Sequence, residues 1–145
     1  MTLPRPQPGL VIRYSYLWAE EAARGRDEGD KERPAAIVLV VSESKDAAPR
    51  AYVLPITHSP PPKDADALEL PAAVARKAGL DAARSGVILS EFNEFVWPGF
   101  DLALVPGRKP ATVAYGFLTP GFFARLRDRW LELDDAAKSR GVPRD

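Results

Sequence analysis

Seven consecutive apolar residues, Ala35 to Val41, restrict the fold of this 145-residue chain more than any other segment. The run is rich in β-branched side chains and lacks polar alternation, so it predicts a central β-strand covered on both faces. Fifteen prolines, about twice the average share, are scattered between the apolar segments. Because proline disrupts helix interiors, this distribution predicts short strands and tight corners.

Alternating apolar residues predict a strand before this run. Leu10, Ile12, Tyr14, Tyr16 and Trp18 recur at a period of two after a Pro8-Gly9 turn, which is typical of a half-buried strand. An edge strand at Ala67 to Leu70 is predicted to lead into a small helix at Pro71 to Ala78. The other predicted strands are Arg50 to Ile56, Gly86 to Phe92, Glu94 to Val96, Asp101 to Val105 and Thr112 to Phe117.

The last element has the clearest helical pattern. Thr119 is suited to the N-cap and Pro120 to the first helical position. Apolar residues then follow at spacings of three and four: Phe123, Leu126, Trp130, Leu133 and Ala137. We predict an amphipathic helix over about residues 119–140, ended by Gly141 and Pro143. The whole pattern predicts one α+β domain over residues 1–145, mostly β, folded as a small antiparallel barrel or curled sheet.

The composition excludes several kinds of site. The chain has no cysteine and one histidine, so it cannot form thiol nucleophiles, disulfides or the usual zinc ligand sets. We expect no metal and no other cofactor. The apolar runs are far shorter than the roughly 20 residues of a membrane helix, so we expect a cytoplasmic protein without membrane contact. Twenty basic and twenty acidic residues balance, so any attraction to phosphate must be local.

Three places hold residues that could carry chemistry. Arg33 follows a charged loop over about residues 19–32, and its planar guanidinium matches phosphate or carboxylate oxygens. Thr57, His58 and Ser59 end a predicted strand, and an imidazole can take a proton near neutral pH. The segment from Ser90 to Gly99 is rich in aromatic and acidic side chains that could stack on and contact bases.

Each place also has a purely structural interpretation. Arg33 could pair with Glu32 or Glu28 at the end of a strand. The residues from Thr57 to Ser59 could form a solvated turn, with their hydroxyls bonded to the backbone. The aromatic side chains between Ser90 and Gly99 could close a core or a dimer interface.

In order, these motifs resemble the MazF/PemK family of toxins from bacterial toxin-antitoxin systems. The resemblance starts at Pro8-Gly9, runs through the segment from Lys31 to Leu39, and ends near Leu133. Its other motifs are the acidic Glu28 in the loop, Leu54-Pro55-Ile56-Thr57, Ser85-Gly86-Val87-Ile88-Leu89, and Tyr115-Gly116-Phe117-Leu118 before the helix.

The resemblance implies an SH3-like barrel with a C-terminal helix, usually assembled as a homodimer. It also implies a metal-independent endoribonuclease that cuts single-stranded RNA to 2′,3′-cyclic phosphate and 5′-hydroxyl ends, silenced by a cognate antitoxin. By position, Arg33 matches the family's catalytic arginine, Thr57 its catalytic threonine and Glu28 its acidic loop position.

In such a mechanism Arg33 stabilises the charge on the phosphorane and can protonate the leaving oxygen, while Thr57 donates to a non-bridging oxygen. Arginine stays protonated and is a poor base, so His58 and Glu28 both stand as candidates for the base. Our candidate RNA contacts are Lys31, Ser59, Glu91, Asn93 and Trp97.

The sequence departs from the family pattern at three positions. Lys31 stands where many members carry glycine, Phe92 where many carry glutamine, and His58 where a hydroxyl residue is frequent. These departures bear on RNA contacts and specificity. Two alternatives therefore stand beside the nuclease: a protein-binding inhibitor of the CcdB type, which the neutral net charge favours, and an inactive scaffold or regulatory barrel.

Overall fold

A computed structural model of the chain describes residues 3–27, 29, 31–58, 67–81, 83–135 and 139–145. Strands dominate these ranges, with three helices between them. The elements in chain order are β1 (Leu10–Ser15), α1 (Ala19–Ala23), β2 (Glu32–Val41), β3 (Arg50–Thr57), β4 (Ala67–Leu70), α2 (Ala72–Lys77), β5 (Ser85–Ile88), β6 (Glu91–Val96), β7 (Ala114–Phe117), α3 (Pro120–Asp135) and β8 (Arg140–Pro143).

The strands form one curled sheet in the order β4-β5-β3-β2-β1-β7, with every neighbouring pair antiparallel. β6 also pairs with β3, and β8 adds to β6 in the parallel direction. β4 lies at one end of the sheet, as predicted for an edge strand. The predicted class is therefore confirmed: the fold is α+β, mostly β, with a curled antiparallel sheet and a C-terminal helix.

β2 separates two hydrophobic cores, which confirms the prediction that its apolar run is covered on both faces. Ala36 and Val38 pack in the core that also receives α3, whereas Ala35 and Ile37 pack in a second core. The side chains of residues 35–38 are all buried, but burial decreases further along the strand, where Val41 is exposed. The polar residues at the start of β2, the end opposite to Val41, therefore lie next to a stretch of the strand that is packed on both faces.

α3 covers the first core with side chains that include Leu126 and Trp130, both from the predicted apolar stripe. Phe122 is buried with them, while Phe123 and Leu133 are half-buried at the margin. The charged loop begins with a short helix, α1. No helix in the described ranges is both long and apolar enough to cross a membrane.

The chain after the predicted helix forms a strand that the sequence did not predict. α3 covers Pro120–Asp135, Ala137 lies outside the described residues, and Arg140–Pro143 forms β8, whose residues pair with Glu91 to Glu94 of β6. Gly141 was predicted to stop a helix, but a Cβ atom there would lie 2.5 Å from the Phe92 ring. Its missing side chain therefore lets β8 approach β6 closely, which is a long-range contact that helical periodicity does not report.

Three strand boundaries also differ from prediction. β1 ends at Ser15, before Trp18, because the chain turns there into α1. The segment predicted as one strand from Gly86 to Phe92 is divided between β5 and β6, which pair with different parts of β3. The segment from Asp101 to Val105 makes a single bridge, between Leu102 and Tyr14.

Candidate functional site

A cavity of about 250 Å³ opens where β2 begins and β3 ends. Ala35 pairs with Pro55 across these strands, and continuing that register by two residues puts Arg33 opposite Thr57 on one face. We call this cavity the β2–β3 cleft. Its lining residues are Lys31, Glu32, Arg33, Pro34, Ile56, Thr57, His58, Leu80, Asp81 and Ser85.

The environment of His58 fixes its tautomer. Its Nδ1 lies 3.0 Å from the carbonyl oxygen of Arg84. A carbonyl only accepts hydrogen bonds, so Nδ1 carries the proton and the neutral ring presents the lone pair of Nε2. The imidazole can therefore accept a proton at Nε2 while the backbone holds its orientation.

Asp81 faces the basic nitrogen of this ring. Its Oδ2 lies 3.8 Å from His58 Nε2, and its Oδ1 accepts a hydrogen bond from the backbone N–H of Ala83 at 3.0 Å. The Ala83 bond orients the carboxylate with its second oxygen toward the imidazole. A proton taken up at Nε2 would place a positive charge beside this carboxylate, which stabilises the imidazolium.

An aromatic face orients Arg33, which is half-buried. The guanidinium carbon lies 5.0 Å from the centroid of the Trp18 ring, within the range of a cation–π contact. Trp18 in turn packs edge-on against Tyr16, with ring centroids 5.1 Å apart. The charged head of Arg33 is thus positioned by the segment that joins β1 to α1.

Glu91 anchors that segment from outside the cleft. Its Oε1 accepts hydrogen bonds from the Tyr16 hydroxyl at 3.2 Å and from the backbone N–H of Ala19 at 2.8 Å. Burial raises the pKa of Glu91, and the same desolvation raises the pKa of Tyr16. These hydrogen bonds give Glu91 a structural role. It holds the start of α1 and thereby also the position of Trp18, which directly precedes α1.

Asn93 and Trp97, two of the predicted RNA contacts, lie in the interior of the protein. Asn93 is 0% exposed, and its amide exchanges two hydrogen bonds with the backbone of Leu17, at 2.8 and 2.9 Å. Trp97 is buried with its ring 6.0 Å from that of Phe95. Asn93, on the inward-facing side of β6, therefore binds the chain between β1 and α1, and Trp97, directly after β6, helps to fill the second core.

The cleft brings together four of the nine predicted site residues: Lys31, Arg33, Thr57 and His58. It does not include Glu91, Asn93 or Trp97. The predictions for Glu28 and Ser59 fall outside the described residues.

Sequence reasoning missed Asp81, which lies 23 positions after His58 in the chain. The one nearby signal is Gly79, which marks the end of α2, and it gives no reason to connect this carboxylate with the imidazole. Over the described ranges, no three acidic or imidazole side chains are grouped closely enough to hold a metal ion.

Comparison with protein-family models, with curated proteins and with solved structures finds no match for this chain. The residues of the β2–β3 cleft are therefore the basis for assigning a function.

Proposed function

We propose that this protein is an endoribonuclease of the toxin type that cuts single-stranded RNA to 2′,3′-cyclic phosphate and 5′-hydroxyl ends. The observation that carries the proposal is the β2–β3 cleft, where a guanidinium from β2 and a hydroxyl and an imidazole from the end of β3 line one cavity. Arg33 and Thr57 are also the positions at which the sequence resembles the catalytic residues of the MazF/PemK family. The chemistry of such a cut needs the same three kinds of group.

In the proposed reaction, His58 Nε2 takes the proton of a ribose 2′-hydroxyl. The 2′-oxygen attacks the adjacent phosphorus, the bond from phosphorus to the 5′-oxygen breaks, and that oxygen takes a proton from Arg33 or from water. Arg33 and the Thr57 hydroxyl donate to the phosphoryl oxygens, where negative charge accumulates. Asp81 stabilises the imidazolium formed at His58. Glu28 remains the alternative base.

The resemblance extends this proposal to the protein's partners. It implies a homodimer in the cytoplasm and a cognate antitoxin that blocks the RNA site. A short open reading frame next to the gene, encoding a protein with an acidic, disordered tail, would support a toxin.

A protein-binding inhibitor is the second candidate, and one exposed side chain favours it. Phe100 follows the Trp97-Pro98-Gly99 corner with its side chain fully exposed, beside a cavity that Phe95 and Trp97 also line. Exposed aromatic side chains are common anchors of protein interfaces. If the nuclease proposal fails, a Phe100→Ser variant that no longer inhibits growth would support this candidate.

The test is to incubate the purified protein with a long single-stranded RNA in EDTA and to map the cut ends. Arg33→Ala should abolish the cuts, while Arg125→Ala, on the exposed side of α3, should leave them unchanged. Discrete cuts with 5′-hydroxyl ends support the proposal. Cutting by Arg33→Ala at the parent rate, or no cutting of varied RNAs by the parent, would refute it.

The base is tested separately by the pH dependence of the rate. If His58 takes the proton, His58→Asn should be slower than the parent and should have a different pH–rate profile. A variant that keeps the parent profile would leave Glu28 as the candidate base.

A further inference from the structure

Two arginines share one tyrosine beside the β2–β3 cleft. Arg13 Nη1 donates a hydrogen bond to the Tyr115 hydroxyl at 3.1 Å. Arg108 donates to the carbonyl oxygens of Tyr115 at 2.9 Å and Gly79 at 3.0 Å, and its guanidinium carbon lies 5.9 Å from the Tyr115 ring centroid. We call Arg13, Arg108 and Tyr115 the basic cluster. All three side chains are half-buried.

The basic cluster adjoins the cleft at two points. Arg13 of β1 pairs directly with Pro34 of β2, and residues opposite each other in an antiparallel pair project from the same face. Pro34 lines the cleft. Arg108 reaches the carbonyl of Gly79, which directly precedes the cleft residues Leu80 and Asp81. A chain that leaves the cleft on this side would therefore meet the basic cluster next.

The charges of the basic cluster are not compensated within the described part of the protein. Six other arginines form ion pairs with carboxylates: Arg24, Arg26, Arg50, Arg84, Arg127 and Arg144. Across the described ranges, neither Arg13 nor Arg108 has a carboxylate oxygen within 4.0 Å, and their partners are a hydroxyl and two carbonyls. Half-buried guanidinium groups with donors left over favour an anionic ligand.

Tyr115 adds a further donor to the basic cluster. Its hydroxyl oxygen already accepts a hydrogen bond from Arg13, so its own proton is left to donate outward. The arrangement is also rigidly supported, because α2 ends directly against β7. A Cβ atom on Gly79 would lie 2.5 Å from the Tyr115 carbonyl oxygen and 2.6 Å from Arg108 Nη2. Two cations and a hydroxyl are therefore held together by backbone contacts.

We propose that the basic cluster is a second phosphate-binding subsite, which binds the backbone of a single-stranded polynucleotide next to the phosphate in the cleft. This inference rests on the proposed function and narrows the substrate class, because the substrate must be a chain with at least one phosphate besides the scissile phosphate. A mononucleotide or dinucleotide would not reach the basic cluster.

The experiment measures binding to the intact protein by fluorescence anisotropy. The probes are a labelled single-stranded 2′-O-methyl oligonucleotide of about twelve residues and the corresponding dinucleotide. The 2′-O-methyl groups remove the nucleophile, so binding is observed without cleavage. Arg13→Gln removes one phosphate contact, and Tyr115→Phe removes the hydroxyl while keeping the ring. Arg125→Gln on α3 is the charge-matched control, and urea unfolding checks that every variant is folded.

Arg13→Gln should weaken binding of the longer probe about threefold to tenfold at moderate salt and lower its log–log salt slope by about 0.7. Tyr115→Phe should cause a smaller loss, and Arg125→Gln none. Dinucleotide binding should be the same for all variants. The subsite is refuted if Arg13→Gln and Tyr115→Phe bind like the parent, if Arg125→Gln loses as much, or if the parent shows no salt-dependent binding.

A parallel cleavage assay on unmodified RNA separates the two proposals. Salt-dependent binding that falls in Arg13→Gln, without cleavage by the parent, supports the subsite and refutes the nuclease. Cleavage by the parent, with unchanged binding by Arg13→Gln, supports the nuclease and refutes the subsite.

Discussion

Replacing Arg144 by methionine should destabilise the fold strongly, although this residue is next to last in the chain. Its side chain is 2% exposed and forms an ion pair with Asp101 at 3.1 Å. It also donates four hydrogen bonds to other parts of the structure. The acceptors are the Tyr14 hydroxyl at 3.2 Å, the Ser15 carbonyl at 2.8 Å, the Asn93 side-chain oxygen at 2.9 Å and the Asp27 carbonyl at 3.3 Å.

The size of the loss follows from what methionine leaves behind. Methionine fills much of the volume of the arginine stem but donates no hydrogen bond, so Asp101 loses its cation and the Ser15 carbonyl loses a charged donor. Removing one member of a buried ion pair costs about 3–5 kcal/mol. The Asp101 side chain is 25% exposed and can regain some hydration, so we expect about 3 kcal/mol, near the lower limit. For a chain of this length, that change lowers Tm by roughly 6–12 °C.

Urea unfolding followed by tryptophan fluorescence measures this change, and Arg125→Met on the exposed side of α3 is the matched control. The control should stay within about 0.5 kcal/mol of the parent. If Arg144→Met also stays within that margin, the buried contacts of Arg144 do not stabilise the fold.

Two further changes test the support of Arg33. Glu91→Gln keeps an oxygen acceptor for Tyr16 and Ala19 but removes a charge whose burial raises the carboxyl pKa. Because the pKa of Glu91 is raised in the folded state, the stability that this carboxyl contributes is complete below its ordinary pKa and is lost as pH rises through the folded value. Urea unfolding at several pH values should therefore show Glu91→Gln gaining stability relative to the parent toward neutral pH. Trp18→Leu should reduce the RNA cleavage rate about twofold to fivefold without a matching loss of stability, because Arg33 loses a cation–π contact. Trp18→Phe should restore part of the rate. Equal cleavage rates in the parent and both variants would refute the positioning role of Trp18.

The sequence predicts well those elements in which the burial of each residue follows from its position in its own strand or helix. The apolar run of β2 and the spacing of Leu126 and Trp130 in α3 report burial directly, since each depends on the residue's own strand or helix. β8 depends instead on pairing with β6, about fifty residues earlier, and on the space that Gly141 leaves for Phe92. No local periodicity carries that information, so the sequence predicted only that the helix stops near Gly141 and not that a strand follows it.

The residues of the candidate site can also be separated into those whose positions the sequence predicts and those whose positions it does not. Arg33 lies at the start of β2 and Thr57 at the end of β3, the next strand in the chain, so their proximity follows from an antiparallel hairpin and could be predicted. Asn93 was predicted to face RNA because it lies in a segment rich in polar and aromatic residues, but register turns it inward to Leu17 and Arg144. Asp81 reaches His58 only through the packing of the chain after α2 against the end of β3, which the sequence does not reveal.

The net charge of zero therefore says little about a polyanionic substrate, because the charges are unevenly distributed. Most ion pairs in the described ranges cancel locally, and the cleft itself is balanced, with Lys31 and Arg33 opposed by Glu32 and Asp81. Among the described residues around the cleft, the positive excess comes from Arg13 and Arg108. If both proposals hold, attraction of RNA depends more on these two arginines than on the cleft, and the chemical step depends on the cleft residues and on the groups that position them. Salt should accordingly weaken binding steeply in the parent and less steeply in Arg13→Gln.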